Sequence, residues 1–214
     1  MNLFIILAII GYICGNFVTS YFVAKGIYKV DLRKYGSGNL GSTNALRTTG
    51  KMGGLLTFIG DLCKSMIPVL IFTYMNSKFN YIDNNVDIRL YQLSIGFFAT
   101  LGHIFPFWLG FKGGKGIATI AGGILAIDYR VLIVLLSIFI IIVFITKYVS
   151  LASVILACIY PFAMYFTVFG EKDAYKVVLF SALFSIIVIY KHKDNIKRLL
   201  NGTEHKITKK VDVK

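Results

Sequence analysis

Seven runs of apolar residues, separated by short polar stretches, set the pattern of this chain: residues 3–24, 52–74, 91–109, 117–127, 131–145, 151–169 and 177–190. A helix that crosses a bilayer needs about 20 predominantly apolar residues. Runs of this length predict membrane helices, although 117–127, 131–145 and 177–190 are short for a full crossing. Only Asp128-Tyr129-Arg130 splits the fourth run from the fifth, so these two form either a tight hairpin or one broken element. Gly122 and Gly123 suit close helix packing in lipid. The pattern predicts an all-α, polytopic membrane bundle of about seven transmembrane helices, with residues 1–214 as a single integral membrane domain. The first run has no basic residue ahead of it and no A-x-A-type cleavage site, and is expected to be a retained helix rather than a signal peptide.

Composition agrees. Hydrophobic residues make up 57% of the chain and charged residues only 15%, too apolar a balance for a soluble domain. Cys14, Cys63 and Cys158 sit in separate apolar runs without a C-x-x-C or Cys/His cluster, which predicts buried, unreactive thiols. The net charge of +13 would suggest nucleic acid in a soluble protein; here its distribution speaks for membrane orientation, and no nucleic-acid partner is expected.

An odd number of spans places the termini on opposite sides. With the loop at residues 25–51 inside, Lys25, Lys29, Arg33, Lys34, Arg47, Lys51, Lys112, Lys115, Lys147 and eight more basic residues after Tyr190 share the inner face. Against them stand Asp31, Asp194, Glu204 and Asp212. On the other face Lys78, Arg89, Arg130, Lys172 and Lys176 are balanced by Asp83, Asp87, Asp128, Glu171 and Asp173. The whole excess lies on one side, so the positive-inside rule predicts an outside N-terminus and a cytoplasmic C-terminus in a multi-pass membrane protein.

The candidate chemistry gathers on that cytoplasmic face. Gly36-Ser37-Gly38-Asn39-Leu40-Gly41-Ser42-Thr43-Asn44 with Arg47 reads as an anion cradle: glycines let the backbone approach a ligand, and hydroxyls, amides and a guanidinium supply donors. A second loop, Lys112-Gly113-Gly114-Lys115-Gly116, precedes an apolar run, and glycine N–H groups at a helix start can bind phosphate. The P-loop pattern is absent. His192 and Asn195, spaced i,i+3 where the last run leaves the membrane, share a face if the helix continues. Ser150 lies in the remaining inner loop. Asp61 and Lys64, also i,i+3, fall inside the second run, either as a packing ion pair or as support for the first loop. His103 reads as a structural residue. No G-x-S-x-G elbow, H-E-x-x-H pattern or carboxylate cluster is present, so neither a metal nor a cofactor is expected. The acyltransferase pattern His-x-x-x-x-Asp is missing too.

Together these stretches resemble the acyl-phosphate-dependent glycerol-3-phosphate acyltransferases of bacteria, the PlsY family. The resemblance runs from residues 36–44 with Arg47, through Gly60-Asp61 and Lys64, through 102–106 and 111–119, to 192–199 and 202–204. Ser65 departs from it, standing where the family usually has Gly. The resemblance implies transfer of a fatty acyl group from acyl phosphate to the 1-hydroxyl of glycerol 3-phosphate, as the first step of bacterial phospholipid synthesis, without acyl-CoA or acyl carrier protein. On this reading Ser37, Asn39 and Arg47 hold one phosphate, Lys115 and the surrounding glycine N–H groups hold the other, and His192 and Asn195 orient the acceptor. Gly36, Gly38, Gly41, Ser42, Thr43, Asn44, Lys112, Gly113, Gly114, Gly116 and Ser150 complete the substrate site. A paralogue acylating another phosphorylated acceptor and a membrane anion transporter remain the alternatives.

Overall fold

A computed structural model describes residues 2–83, 86–171 and 174–208; the charges counted above at Lys172, Asp173, Lys209, Lys210, Asp212 and Lys214 lie outside the described residues. Every regular element among the described residues is helical. α1 (Leu3–Gly15) continues through α2 (Thr19–Phe22) and a π-helical turn at Val23–Ile27. A 3₁₀ turn (Leu32–Lys34) precedes α3 (Ser42–Phe79). Then follow α4 (Ile88–Ile104), a 3₁₀ turn (Phe107–Leu109), α5 (Ile117–Ile127), α6 (Tyr129–Thr146), α7 (Val149–Thr167), α8 (Ala174–Lys191) and the short α9 (Lys193–Leu200).

All seven apolar runs are helical. Among the described residues, six stretches have the length and hydropathy to cross a membrane: Leu3–Ile27, Ser42–Phe79, Ile88–Leu109, Tyr129–Thr146, Val149–Thr167 and Ala174–Lys191. The fourth run stays an 11-residue helix, α5. At about 1.5 Å per residue it spans roughly half of a ~30 Å hydrocarbon core. The fifth and last runs reach 18 residues each, because polar first turns extend them beyond their apolar parts. Asp128 alone separates α5 from α6: its N–H closes α5 on the Ile124 carbonyl at 2.8 Å, and its carboxylate caps α6 by accepting from Arg130 N at 2.9 Å. The second run gains a helical segment at its start. Residues 42–49 wind into helix behind Gly41, and Gly50 (φ 82°, ψ −174°) breaks the helix before its apolar part begins.

The helices meet through small residues, as association in lipid favours. A Cβ on Gly11 or Gly15 of α1 would overlap the Ile95 or Ala99 carbonyl of α4, and one on Gly122 of α5 would overlap the Leu62 carbonyl of α3. The exterior is apolar: Phe144 and Phe166 are 74% and 77% exposed. This surface explains a departure from expectation, for Cys14 and Cys63 are only partly buried and Cys158 is exposed.

The two ends of the bundle differ. Phe4 meets the rings of Tyr91 and Phe180 at 6.2 Å each, so α1, α4 and α8 begin together at one end. At the other end Tyr12 Oη donates to the Phe105 carbonyl at 2.8 Å, while Asn16 Oδ1 accepts from Phe107 N at 3.0 Å and the Asn16 carbonyl from Trp108 Nε1 at 2.8 Å. The polar loops gather at this second end.

Gly15→Ala should lower the thermal unfolding midpoint in detergent micelles, since overpacking a tight contact costs about 1–3 kcal/mol. Gly26→Ala, whose Cβ would meet nothing within 4 Å, should not lower it. Scanning fluorimetry of both variants checks the contrast; equal midpoints would show that α1 moves aside freely.

Candidate active site

The first loop is part turn and part helix. Gly36 and Gly38 take positive φ (60° and 69°), turning the chain back on itself. Asn44, 1% exposed, pins that turn. Its Oδ1 accepts from Ser37 N at 3.0 Å, and its Nδ2 donates to the Leu32 and Tyr35 carbonyls at 3.2 and 3.1 Å. Asn44 thus spends both ends of its amide on the loop itself. Ser37, Asn39, Gly41, Ser42, Thr43 and Arg47 join it in lining a cavity of about 230 Å³, which Gly36 and Gly38 do not reach. Ser42 and Thr43 occupy the first turn of α3, where backbone N–H groups lack intrahelical acceptors.

The second loop works differently from the expectation. Gly113 N donates to the Ile104 carbonyl and Gly114 N to the His103 carbonyl, both at 3.1 Å, so these two N–H groups fasten the loop to α4 rather than facing a ligand. Lys112 is exposed and away from the cavity. Lys115 and Gly116 line it, with Gly116 (φ 87°) turning the chain into α5.

The third stretch completes the ring. His192 lies between α8 and α9, where the helix is interrupted, yet it and Asn195 both reach the cavity. His192, 2% exposed, uses Nδ1–H to donate to the Val188 carbonyl at 2.8 Å. A carbonyl can only accept, so Nδ1 carries the ring proton and Nε2 is left bare. Asn195 accepts from Lys115 Nζ and donates from Nδ2 to Glu204 Oε1 at 2.8 Å. Ser150 Oγ donates to the same oxygen at 3.0 Å, and Arg198 Nε to Glu204 Oε2 at 2.8 Å. Arg47 donates to the His205 and Lys206 carbonyls at 2.9 and 3.2 Å, and Ile207 N to the Lys147 carbonyl at 2.9 Å. The segment after α9 therefore runs along the cavity, which Glu204 and Ile207 help to line.

Burial governs the electrostatics. It pushes the Lys115 ammonium down to about 8, against the pull of Glu204. Burial, helped by the Lys115 charge, brings His192 down to about 4. Burial pushes Glu204 upward, but bonds from Asn195, Arg198 and Ser150 outweigh it and hold the carboxyl below its usual range.

Beside this polar cavity lies an apolar one of about 220 Å³, with walls from Leu62, Ile120, Ile124, Leu132 and Leu135. Phe58, Ile117, Ala118, Phe139 and Ser153 line both. The arrangement can hold anionic groups in one compartment and a hydrocarbon chain in the next. Sequence reasoning missed Glu204 as a site residue and placed neither Asp61 nor His103 at the cavity, which both line. One signal for Glu204 was available: an acid among the basic residues of the tail, two positions after Gly202.

Residues 5–202 match the family model described as glycerol-3-phosphate acyltransferase. A glycerol-3-phosphate acyltransferase of Clostridioides difficile is 45% identical over 209 residues, covering 97% of each chain. One from Syntrophomonas wolfei is 39% identical, covering 95% of this chain and 97% of the relative. Among solved structures, PlsY, an integral membrane glycerol 3-phosphate acyltransferase in its glycerol 3-phosphate form, is 33% identical with a TM-score of 0.79, over 96% of both chains. Its lysophosphatidic acid form gives 32% and 0.78.

The buried His192 ring predicts a pH response. Its folded pKa lies below the ordinary 6.5, so the stabilisation from the neutral ring is complete above about pH 6.5 and is lost as pH falls through about 4. A ¹⁵N NMR titration of labelled histidine should find His192 neutral at pH 6, protonated at Nδ1 and bare at Nε2. A midpoint near 6.5 would contradict this.

Proposed function

The chain belongs to the glycerol-3-phosphate acyltransferase family, an integral membrane group acting in phospholipid synthesis, and from that premise we propose that its acyl donor is acyl phosphate. The acyl group passes to the 1-hydroxyl of glycerol 3-phosphate, giving 1-acyl-glycerol 3-phosphate and inorganic phosphate. The observation that carries the donor assignment is the direct junction of a small polar cavity bearing Arg47 and Lys115 with an apolar cavity. An acyl phosphate has that division: a dianionic head joined to a hydrocarbon tail, with no bulky carrier.

Ser37, Asn39, Arg47 and the first turn of α3 hold one phosphate; Lys115 holds the other, and Asn195, itself bonded to Lys115, sets the acceptor beside it. The acceptor oxygen bonds to the acyl carbon, the acyl carbon–phosphate oxygen bond breaks, and the hydroxyl proton ends on phosphate. The donor is an activated anhydride, so holding two dianions together and stabilising the charge of the transition state are the main tasks. His192, brought down to about 4, is a weaker base than a phosphate whose second pKa is about 6. Its bare Nε2 orients the acceptor hydroxyl, and phosphate takes the proton. The polar end faces the cytoplasm, where the basic excess lies.

With purified protein in lipid, acyl phosphate should acylate glycerol 3-phosphate while acyl-CoA does not; comparable rates with acyl-CoA would overturn the donor assignment. His192→Ala should raise KM for glycerol 3-phosphate as well as lower kcat. A kcat loss of about 10²–10⁴-fold at constant KM would make His192 the base instead. Cysteines introduced near Asn80 and near Gly202 should label from opposite sides of the membrane, and labelling from one side would refute the topology.

A further inference from the structure

We propose that the buried Asp61–Lys64–His103 cluster is a positioning device that holds the two polar loops at a fixed separation, and so sets how the two phosphate groups meet. The three side chains are almost inaccessible, with 1%, 8% and 3% of their residues' surfaces exposed. Lys64 Nζ contacts Asp61 Oδ1 at 2.8 Å, the Phe17 carbonyl at 3.2 Å and His103 Nδ1 at 2.5 Å. An ammonium has three N–H donors, and these contacts use all of them, leaving none for a substrate. The contacts join α3, the chain leaving α1 and the end of α4.

His103 passes that anchoring on. Its carbonyl accepts from Gly114 N at 3.1 Å. Its imidazole lies against Gly114, and the Leu40 carbonyl of the first loop closes on the same glycine. A Cβ there would overlap both, and a Cβ on Gly113 would overlap the His103 carbonyl. Gly114 is therefore a point where the cluster, the first loop and the second loop touch. Its neighbour in sequence is Lys115, as Leu40's is Asn39. An ion pair so deep is poor value for stability alone, since apolar replacements of such pairs are often neutral or stabilising. The cluster's value lies in the geometry it imposes.

The inference rests on the two loops being the phosphate sites, and the test separates the two ideas. Steady-state KM values for acyl phosphate and glycerol 3-phosphate are measured in lipid for Asp61→Asn/Lys64→Met, which leaves no unpaired charge, for Gly114→Ala, which keeps the cluster's side chains but crowds the His103 imidazole and the Leu40 carbonyl, for the combination, and for Lys115→Ala. KM does not depend on the fraction of enzyme that is folded, so merely lost protein does not move it. The first two variants should each raise at least one KM about tenfold to 100-fold, the scale of one lost hydrogen bond to a charged group, and Lys115→Ala should raise the same one. The combination should be no worse than the worse of its parts, because both act on one contact. Unchanged KM in Asp61→Asn/Lys64→Met beside a raised KM in Lys115→Ala overturns the positioning role and leaves the loop assignment standing. Full additivity in the combination also overturns it. Unchanged KM values in Lys115→Ala overturn both ideas.

Discussion

A charge among apolar helices must be matched within bonding distance or it is not tolerated, and this requirement arranges the polar end of the molecule. Lys64 is surrounded by Asp61, His103 and the Phe17 carbonyl. Glu204 takes bonds from Asn195, Ser150 and Arg198. Arg47 rests on backbone carbonyls, and Lys115 on the Asn195 amide. Each match ties together elements distant in sequence, so satisfying the charges and building the cavity are one process. The local pairs Arg33–Asp31 and Arg130–Asp128 are of another kind. They are two-residue helix-start contacts with exposed partners, and contribute little beyond the cap.

The apolar part of the bundle frames this end. α1 and α4 meet through Gly11 and Gly15, and α3 and α5 through Gly122, bringing backbones close enough that the loops between them cannot wander. α5 is short and starts beside the polar cavity, so its first residues, Ile117 and Ala118, belong to both compartments. The boundary between water-like and lipid-like surroundings thus passes through the start of α5, with Phe58, Phe139 and Ser153 from α3, α6 and α7 completing it.

Much of this was legible in the chain. The apolar runs gave the helices, because few structures satisfy the backbone in lipid. The glycine-rich stretches, Arg47, Lys115, His192 and Asn195 were recognisable by residue type, and they do converge. What was hidden depended on partners far away in sequence. Gly113 and Gly114 looked like phosphate donors, but their N–H groups serve carbonyls of α4. Asn44 looked like a ligand and is the pin of its own turn. The helical start of α3 was obscured because residues 42–49 lie within the polar loop at 25–51, cut off from the apolar part of the helix by the break at Gly50. Glu204 lay at the end of the resemblance without a role at the site, and only the fold brings Ser150 and Asn195 to it.

Arg47 holds the segment after α9 by its main chain, through the carbonyls of His205 and Lys206, and Ile207 returns a main-chain bond to Lys147. Contacts of that type read the path of the backbone rather than its side chains. Over evolutionary time, the grip of Arg47 therefore constrains the number of residues between Glu204 and Ile207 more than it constrains the side chain at 206. An insertion or deletion there would displace the carbonyls that Arg47 grips, although every side chain in the cavity were kept.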